Sequence, residues 1–318
     1  MKMFVTGGAG FIGSNLVDRL LADGHAVTVY DDLSTGRMRF LEDARAHASF
    51  AFVEGDILDQ PRLSSAMSGH DMVFHLAANA DVRFGADRPR KDLDSNTIGT
   101  WCVLEAMRTA EVKRIAFSST GSVYGEAKVV PTPEDAPFPV QTSLYGASKL
   151  AGEGLIAAYC EAYGMRSWIF RFVSILGERY THGHVYDFSK QLLAHPDHLV
   201  VLGDGHQKKS YLYVQDCIDA ILVAVERCTG SVNILNLGTD EYVEVNDSID
   251  VIVDELRVSP ERQYSGGQRG WIGDNPLILL ECSRMRALGW APKQTIRDSL
   301  RATLRWLQSN RWVLSERQ

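Results

Sequence analysis

Short apolar runs alternate with longer stretches of helical periodicity along the first half of the chain. Residues 3–6 predict a buried strand that runs straight into the turn Gly7-Gly-Ala-Gly-Phe-Ile-Gly13. Helical spacing follows up to Gly24, with apolar positions at Ile12, Leu16, Val17, Leu20 and Leu21. Further strands are predicted at residues 26–30, 50–53, 72–75, 114–118 and 167–172. Strands that alternate with helices over short connections indicate an α/β fold with a doubly wound parallel sheet.

Two longer helices are predicted in this half, at residues 92–110 and 143–163, and the alternation loosens from about Ser174. We therefore expect a sheet-forming domain over residues 1–173. A smaller α/β part, some of which returns to the sheet, is expected over residues 174–318. This division places the regular pattern in the first part and the irregular connections in the second.

The glycine turn and the following strand predict a nucleotide site. Free amides at a helix N-terminus, together with the helix dipole, attract a phosphate. The strand at residues 26–30 leads into Asp31 and Asp32, the acidic position expected at ribose hydroxyls. A carboxylate there repels a 2′-phosphate, so NAD is favoured over NADP, and Arg37 and Arg39 are interpreted as surface charges.

Other polar and small residues follow the ends of neighbouring strands. Ligands of doubly wound sheets bind at the carboxyl ends of the strands, and the residues that map to this edge are Asp31, Asp56, Ala77 and Ser118. His75 ends a strand too, but we interpret it as a buried packing histidine. The edge is therefore the predicted ligand site.

Tyr145 and Lys149 lie four residues apart in the second long helix, so both side chains share one face. An ammonium beside a phenol favours the phenolate, which lowers a tyrosine pKa from about 10 toward working pH. Tyr145 is then a candidate general base. On spacing alone, the commoner interpretation is a solvated helix that carries a surface tyrosine and lysine. The nucleotide site predicted elsewhere in the chain makes the catalytic interpretation the favoured one.

Composition narrows the class of protein. The 318 residues are 45% hydrophobic and carry a net charge of −7 without a basic block, so nucleic acid is not an expected partner. The five cysteines have no Cys-x-x-Cys spacing, which predicts reduced thiols rather than disulfides or a zinc site. We expect neither a leader peptide nor a membrane span, and a cytoplasmic location.

With these segments in this order, the chain resembles the extended short-chain dehydrogenase/reductases, specifically the nucleotide-sugar epimerases of the UDP-glucose/UDP-galactose 4-epimerase type. The matching segments span nearly the whole chain: Thr6-Gly-Gly-Ala-Gly-Phe-Ile-Gly13, Asp32-Leu-Ser-Thr-Gly36, Gly55-Asp-Ile57, His75-Leu-Ala-Ala78, Ser118-Ser-Thr-Gly-Ser-Val-Tyr-Gly125, Tyr145-Gly-Ala-Ser-Lys149, Gly203-Asp-Gly205 and Ser210-Tyr-Leu-Tyr-Val214. The resemblance implies a Rossmann fold, NAD as cofactor, a UDP-sugar substrate and a homodimer.

The resemblance also implies roles for individual residues. In the catalytic set, Thr120 bonds the reacting hydroxyl, Tyr145 is the base, and Lys149 holds the nicotinamide ribose and lowers the pKa of Tyr145. The implied cofactor contacts are Gly7, Gly10, Phe11, Ile12, Asp31, Asp32, Ser34, Thr35, Gly36, Asp56, Ile57, Leu76, Ala77, Ala78, Asn96, Ser118, Tyr145 and Lys149. The implied substrate contacts are Thr120, Tyr145, Ser174, Lys209, Arg269 and Asp274.

The residues after Thr120 bear on the reaction. In the sugar dehydratases of the family the sequence at this point looks like Thr-Asp-Glu, and the decarboxylases carry a glutamate there. These carboxylates are expected because lyase chemistry needs an acid and a base near the sugar. This chain has Gly121 and Ser122, which favours a 4-epimerase; a 4,6-dehydratase or decarboxylase is the alternative. The sugar stays open among hexose, N-acetylhexosamine and hexuronic acid, and His182 and His184 are interpreted as solvent-exposed loop residues.

Overall fold

Seven parallel strands form the main sheet of the computed structural model, which describes residues 1–79, 85, 87–137, 140–271, 274–275 and 277–315. Their order is β11-β6-β5-β4-β1-β2-β3. Their bounds are β1 Lys2–Thr6, β2 Ala26–Asp31, β3 Phe50–Glu54, β4 Met72–His75, β5 Arg114–Thr120, β6 Arg166–Phe172 and β11 Val232–Leu237. The predicted doubly wound parallel sheet is confirmed.

The order of the strands reverses between β1 and β4. The chain first moves outward from β1 to β2 and β3, and then crosses to β4 and continues the other way. Such a reversal opens a crevice at the carboxyl edge of the sheet. Thr6 pairs with His75 across it, so the glycine turn after β1 and the segment after β4 lie side by side there.

Helices cover both faces of the sheet. On one face, the apolar side chains of α2, α4 and α5 pack together with those of the strands, and on the other α1 packs beside α7. The bounds are α1 Phe11–Ala22, α2 Gln60–Met67, α3 Pro89–Asp92, α4 Gly99–Thr109, α5 Leu144–Tyr163 and α7 Val214–Arg227. Since both faces are covered, β4 is buried along its whole length.

The helix predicted at residues 92–110 contains a turn that periodicity does not show. Between α3 and α4 the backbone adopts a π-helix, Leu93–Ile98. The wider turn carries Asn96, which is 1% exposed. Single π turns occur mostly where a side chain serves a site.

The second half of the chain adds three short strand pairs and further helices. β7 pairs with β10, β8 with β13, and β9 with β12. The bounds are β7 Ser174–Leu176, α6 His184–Ala194, β8 His198–Val201, β9 Lys208–Lys209, β10 Tyr211–Tyr213, β12 Val243–Glu244, α8 Val245–Leu256, β13 Glu261–Tyr264, α9 Ser283–Ala287, α10 Ile296–Ser309 and α11 Trp312–Ser315. No described helix is long and apolar enough to cross a membrane.

His75 is buried between three elements and holds them in register. Its Nδ1 lies 2.8 Å from Thr6 Oγ1 and its Nε2 lies 3.0 Å from Thr100 Oγ1. The Thr100 hydroxyl donates to the carbonyl of Asn96, so it accepts from Nε2–H, and Nδ1 accepts from Thr6. Burial, aided by the charge of Lys149, lowers the pKa of His75 to about 3. The interpretation as a packing histidine is consistent with these contacts.

We predict that His75 makes the protein less stable in acid. The folded protein keeps His75 neutral down to about pH 3, whereas the unfolded chain takes up a proton near the ordinary histidine pKa of 6.5. The free energy of unfolding therefore falls by about 1.4 kcal/mol per pH unit as the pH drops through that window. His75→Gln should make the slope shallower by this amount in urea denaturation between about pH 6 and pH 4. An unchanged slope would contradict the assignment.

Replacement of Gly13 by alanine is predicted to lower the free energy of unfolding by about 1–3 kcal/mol. The new Cβ would lie 2.2 Å from Gly7 O and 2.8 Å from Gly8 Cα, backbone atoms that fix α1 against the turn. Gly10→Ala is the matched control, because its Cβ would meet only Gly7 O, at 3.2 Å, and should change stability by less than about 1 kcal/mol. If both variants lose the same free energy of unfolding in urea denaturation, the close contact at Gly13 is not the cause of the loss.

Candidate active site

The glycine turn after β1 ends at the N-terminus of α1, where backbone amides are left free. Gly10 is the N-cap and has no side chain to cap the helix, and the first turn holds no acidic residue. The amides of Phe11 and Ile12 therefore face the crevice with the positive end of the helix dipole. Gly7 adopts a φ of +70°, and a Cβ there would lie 2.5 Å from Ala77 N. The turn thus fits tightly against the segment that follows β4.

Asp31 ends β2 beside this turn and is 7% exposed. Its Oδ2 accepts the amide of Ala9 at 2.9 Å, and its Oδ1 accepts that of Leu33, also at 2.9 Å. Burial raises its pKa, and the two amides partly oppose that shift. Each oxygen keeps a second lone pair, so Asp31 can still accept from ribose hydroxyls.

The loop after Asp31 is held by its own side chains and by the C-terminal helix. Asp32 Oδ1 accepts both the amide and the hydroxyl of Ser34, at 2.9 and 2.7 Å. The guanidinium of Arg39 lies 4.3 Å from the ring centroid of Trp312, and that of Arg37 lies 6.0 Å from it. Both arginines therefore lie against the ring of Trp312, and that they do not bind a 2′-phosphate stays a prediction.

Three further predicted cofactor residues end neighbouring strands. Asp56 is exposed after β3, where its Oδ1 accepts the amide of Leu58 at 2.9 Å, and Ile57 is buried next to it. Ser118 on β5 donates to the carbonyl of His75 at 3.3 Å. The other predicted cofactor contacts at this edge are partly buried or exposed: Thr35, Gly36, Leu76, Ala77 and Ala78.

Asn96 joins the segment after β4 to the catalytic helix. Its Oδ1 accepts the amide of Asn79 at 2.9 Å, and its Nδ2 donates to Ser148 Oγ at 3.0 Å. Asn79 Nδ2 in turn donates to Asp92 Oδ1 at 2.8 Å. The π turn therefore places a buried amide and a buried carboxylate beside the residues that precede Lys149.

Tyr145, Thr120 and Lys149 meet at the carboxyl end of β5. The Thr120 hydroxyl lies close enough to the phenol of Tyr145 to act on its pKa, and the Lys149 ammonium donates to the carbonyl of Ser118 at 2.8 Å. Lys149 is 2% exposed and also lies over the ring of Phe117, 4.7 Å from its centroid. The structure brings together the three residues that the resemblance implied as catalytic.

The expected depression of the Tyr145 pKa is wrong for the protein chain alone. Burial raises that pKa to about 12, the Thr120 hydroxyl opposes the rise, and Asp92 adds to it. Burial also lowers the pKa of Lys149 to about 7, although Glu153 and Asp92 oppose that shift. Sequence spacing shows the neighbouring cation but does not show how far each group is removed from water.

The predicted substrate cations are both paired with carboxylates. Lys209 Nζ lies 2.6 Å from Oδ1 of Asp274, which is 3% exposed, and donates to the carbonyl of Asn275 at 3.0 Å. Arg269 forms an exposed ion pair with Glu126. Among the described residues, no group of three or more His, Cys, Asp or Glu side chains is arranged to hold a metal ion.

A chain of contacts connects the two sides of the cleft. Thr142, just before the catalytic helix, donates to Asn275 Oδ1 at 3.1 Å, and Asn275 is bonded to Lys209. On the other side, Thr120 pairs with Phe172 between β5 and β6. The exposed Ser174 follows two residues later, at the start of β7.

His184 differs from its interpretation as a solvent-exposed loop residue. It begins α6, is half-buried, and its Nδ1 lies 2.7 Å from the hydroxyl of Tyr211. Tyr211 pairs with Ser174 between β10 and β7, so one residue pair separates His184 from the predicted substrate residue Ser174. Burial, with Lys209 nearby, lowers the pKa of His184 to about 3. The signal in the sequence was weak, because Gly183 separates two histidines without any periodicity.

Sequence reasoning missed Asp92 and Arg171. Asp92 is 1% exposed and acts on the pKa of both Tyr145 and Lys149. Arg171 is an isolated charge within the apolar strand β6 and is 1% exposed. That isolation was a usable signal, because an arginine buried in a central strand needs a buried carboxylate.

Known proteins match this chain over nearly its whole length. The sequence model of the NAD dependent epimerase/dehydratase family matches residues 3–238. UDP-glucose 4-epimerase from Mycolicibacterium smegmatis is 34% identical over 97% of this chain and 99% of its own length. The crystal structure of UDP-glucose 4-epimerase from Thermotoga maritima with UDP-glucose is 32% identical and aligns with a TM-score of 0.87 over 98% of this chain and 99% of that chain.

A third protein adds a cofactor to the comparison. UDP-glucuronic acid 4-epimerase from Bacillus cereus, in complex with UDP-glucuronic acid and NAD, is 27% identical and has a TM-score of 0.89 over 98% of this chain and 100% of that chain. The family match runs from β1 to the end of β11 and so includes the glycine turn, Thr120, Tyr145 and Lys149. The chain therefore belongs to the NAD-dependent epimerase/dehydratase family.

Proposed function

We propose that this protein inverts the configuration at carbon 4 of a UDP-sugar through a transient 4-keto sugar, with NAD as its cofactor. The observation that carries the proposal is the placement of Tyr145 and the buried Lys149 one turn apart on α5, next to Thr120 at the end of β5. A base, a hydroxyl that orients the substrate and a cation are the groups that reversible oxidation of an alcohol requires. The relatives named above are 4-epimerases of UDP-sugars.

The crevice fits NAD. The free amides of Phe11 and Ile12 would hold a pyrophosphate, and Gly10 has no side chain in the way, since a Cβ there would meet only Gly7 O. Asp31 offers lone pairs to the adenosine ribose, and Lys149 would bond the nicotinamide ribose. When bound, oxidised NAD supplies a two-electron acceptor that is regenerated in each cycle, and a positive ring charge.

The side chains of the protein then transfer the proton. Thr120 orients the 4-hydroxyl toward Tyr145, whose phenolate takes the hydroxyl proton as carbon 4 is oxidised. Positive charge near the phenol favours the phenolate against the burial that raises its pKa. The keto sugar is anchored by its diphosphate, to which Lys209 and Arg269 are suited, and it turns to present its other face. Tyr145 returns the proton, and the opposite configuration results.

A lyase reaction is disfavoured by the packing around Gly121. Dehydration or decarboxylation requires an acid–base pair of the enzyme near the sugar, in addition to the tyrosine. A Cβ on Gly121 would lie 2.6 Å from Cγ2 of Ile278 and 3.3 Å from the carbonyl of Phe172. Ile278 therefore fills the space that a carboxylate side chain at position 121 would need. The 4,6-dehydratase or decarboxylase remains the second candidate, and the product distinguishes it.

A homodimer through α4 and α5 is part of the proposal. The two charged residues near the middle of α5, Lys149 and Glu153, are buried, whereas Ala151 and Ala158 are exposed. Trp101 on α4 is 40% exposed. A helix that faces its charges inward and small apolar residues outward is suited to a partner helix rather than to water. A second copy of this chain offers the same surface in return.

Tyr145→Phe is predicted to lower the rate by at least about 100-fold, the usual scale for loss of a general base. The variant should fold and bind NAD as the wild type does, because only the hydroxyl is removed. Rates are measured by proton NMR on the UDP-sugar that turns over best. Tyr163→Phe on the same helix is the control and should leave the rate unchanged. Near-wild-type turnover of Tyr145→Phe would contradict the mechanism.

Trp101→Glu is predicted to convert the dimer to a monomer, because it places a charge in the proposed apolar interface. Molar mass from light scattering after gel filtration measures this directly. Leu193→Glu serves as the control, since Leu193 is similarly exposed, at 42%, but lies on α6. A wild-type monomer, or a Trp101→Glu dimer of unchanged affinity, would exclude this interface.

A further inference from the structure

A buried ion pair lies directly behind the catalytic residues. Arg171 on β6 and Glu153 on α5 are 1% and 4% exposed. Arg171 Nη2 lies 2.7 Å from Glu153 Oε2, and Arg171 Nε lies 3.0 Å from Glu153 Oε1, so the pair is bidentate. This geometry is the strongest that the two side chains can form.

The ion pair is connected to the catalytic residues on two sides. The hydroxyl of Ser119 donates to Glu153 Oε1, and Ser119 directly precedes Thr120 on β5. Glu153 follows Lys149 by one helical turn, so both side chains extend from the same face of α5. One carboxylate therefore contacts the strand that carries Thr120 and the helix that carries Tyr145 and Lys149.

The network continues toward the substrate part of the chain. Arg171 Nη1 donates to the Tyr124 hydroxyl at 2.6 Å, and that hydroxyl donates to Asn236 Oδ1 at 2.9 Å. Asn236 Nδ2 donates at 3.0 Å to the carbonyl of Glu281. Glu281 follows Ile278, the residue that packs against Gly121. The buried polar groups thus link β5, α5 and β6 to the segment that packs against Gly121.

Stability alone does not explain a charged pair in this place. Two ions removed from water lose several kcal/mol of hydration each, and well-packed apolar side chains are often at least as stabilising. What the pair provides is fixed geometry and a fixed charge beside Lys149. We propose that Glu153 and Arg171 are positioning residues, which align Thr120 with Lys149 and set the protonation of the Lys149 ammonium.

The charges around Lys149 predict the direction in which its pKa should change when Glu153 or Arg171 is replaced. Glu153 and Tyr145 face it from α5, Asp92 from α3, and His75, which is neutral above about pH 3, from β4. Arg171 acts from β6 by neutralising Glu153. Removal of the Glu153 charge leaves Arg171 unopposed and should lower the pKa of Lys149. Removal of Arg171 leaves the Glu153 carboxylate unopposed and should raise it.

Glu153→Gln and Arg171→Met test the proposal through these opposite shifts. Protein with ¹³C at the lysine Cε atoms is titrated by NMR with NAD bound, and the Lys149 signal is assigned by its loss in Lys149→Arg. Glu153→Gln should lower the pKa of Lys149 by about 0.5–1 unit, and Arg171→Met should raise it by a similar amount. The alkaline limb of the pH–rate profile, where the Lys149 ammonium loses its proton, should move in the same direction as the pKa of Lys149.

Loss of stability alone would not give that pattern. If the pair only holds the fold together, both variants should melt at lower temperature with no opposite shifts of the pKa, and that result would overturn the proposal. If Arg171→Met does not fold, the downward shift in Glu153→Gln decides alone, and its absence overturns the proposal. Glu255→Gln, in the outer ion pair with Arg305 at 2.8 Å, is the control and should shift nothing.

A milder variant tests alignment separately from charge. Tyr124→Phe removes one hydroxyl from the network and leaves both charges in place. It should lower kcat about tenfold with KM changed less than about threefold, because misplaced catalytic groups affect the chemical step, and an unchanged kcat would contradict the alignment role. The inference rests on the proposed function, but the NMR titration needs no substrate. Opposite shifts without turnover of any UDP-sugar would retain the positioning role and reject the reaction.

Discussion

The burial of the Lys149 ammonium is the constraint on which the rest of the site depends. At 2% exposure, this cation has lost its water and is held by the carbonyl of Ser118, by the ring of Phe117 and by the fields of Glu153 and Asp92. A cation in this setting is costly unless neighbouring groups are fixed. The parallel edge, the π turn and the ion pair between β6 and α5 supply those groups, and Tyr145 lies half-buried one helical turn away.

The fold was predictable from the sequence because it follows from local patterns. Strand positions from apolar runs, the glycine turn and the acidic end of β2 agree with the structure to within a residue or two at most ends. The π turn at Asn96 was not predictable, because its cause is a set of contacts with Asn79 and Ser148 that are distant in sequence. The direction of the Tyr145 pKa was also missed, since spacing carries no information on burial. The isolated Arg171 in an apolar strand was the overlooked signal.

The substrate side explains why the sugar is harder to assign than the reaction. Proton handling needs only Thr120, Tyr145 and Lys149, which the sheet edge and one helix place together. The residues proposed for the substrate, among them Ser174, Lys209 and Arg269, come instead from separate segments of the second half of the chain. The two cations proposed to bind its diphosphate are paired with Asp274 and Glu126, so on the proposed function the substrate would exchange these partners. The proposal therefore assigns specificity to the second half of the chain.

The most direct test of the account is a proton NMR time course of the protein with NAD and a panel of UDP-hexoses in deuterated water. The account predicts a 4-epimer that builds to a constant ratio, with no deuterium at carbon 4 and no release of NADH, because the same hydrogen leaves and returns. A 4-keto, deoxy or decarboxylated product, or deuterium at carbon 4 of the epimer, would contradict it.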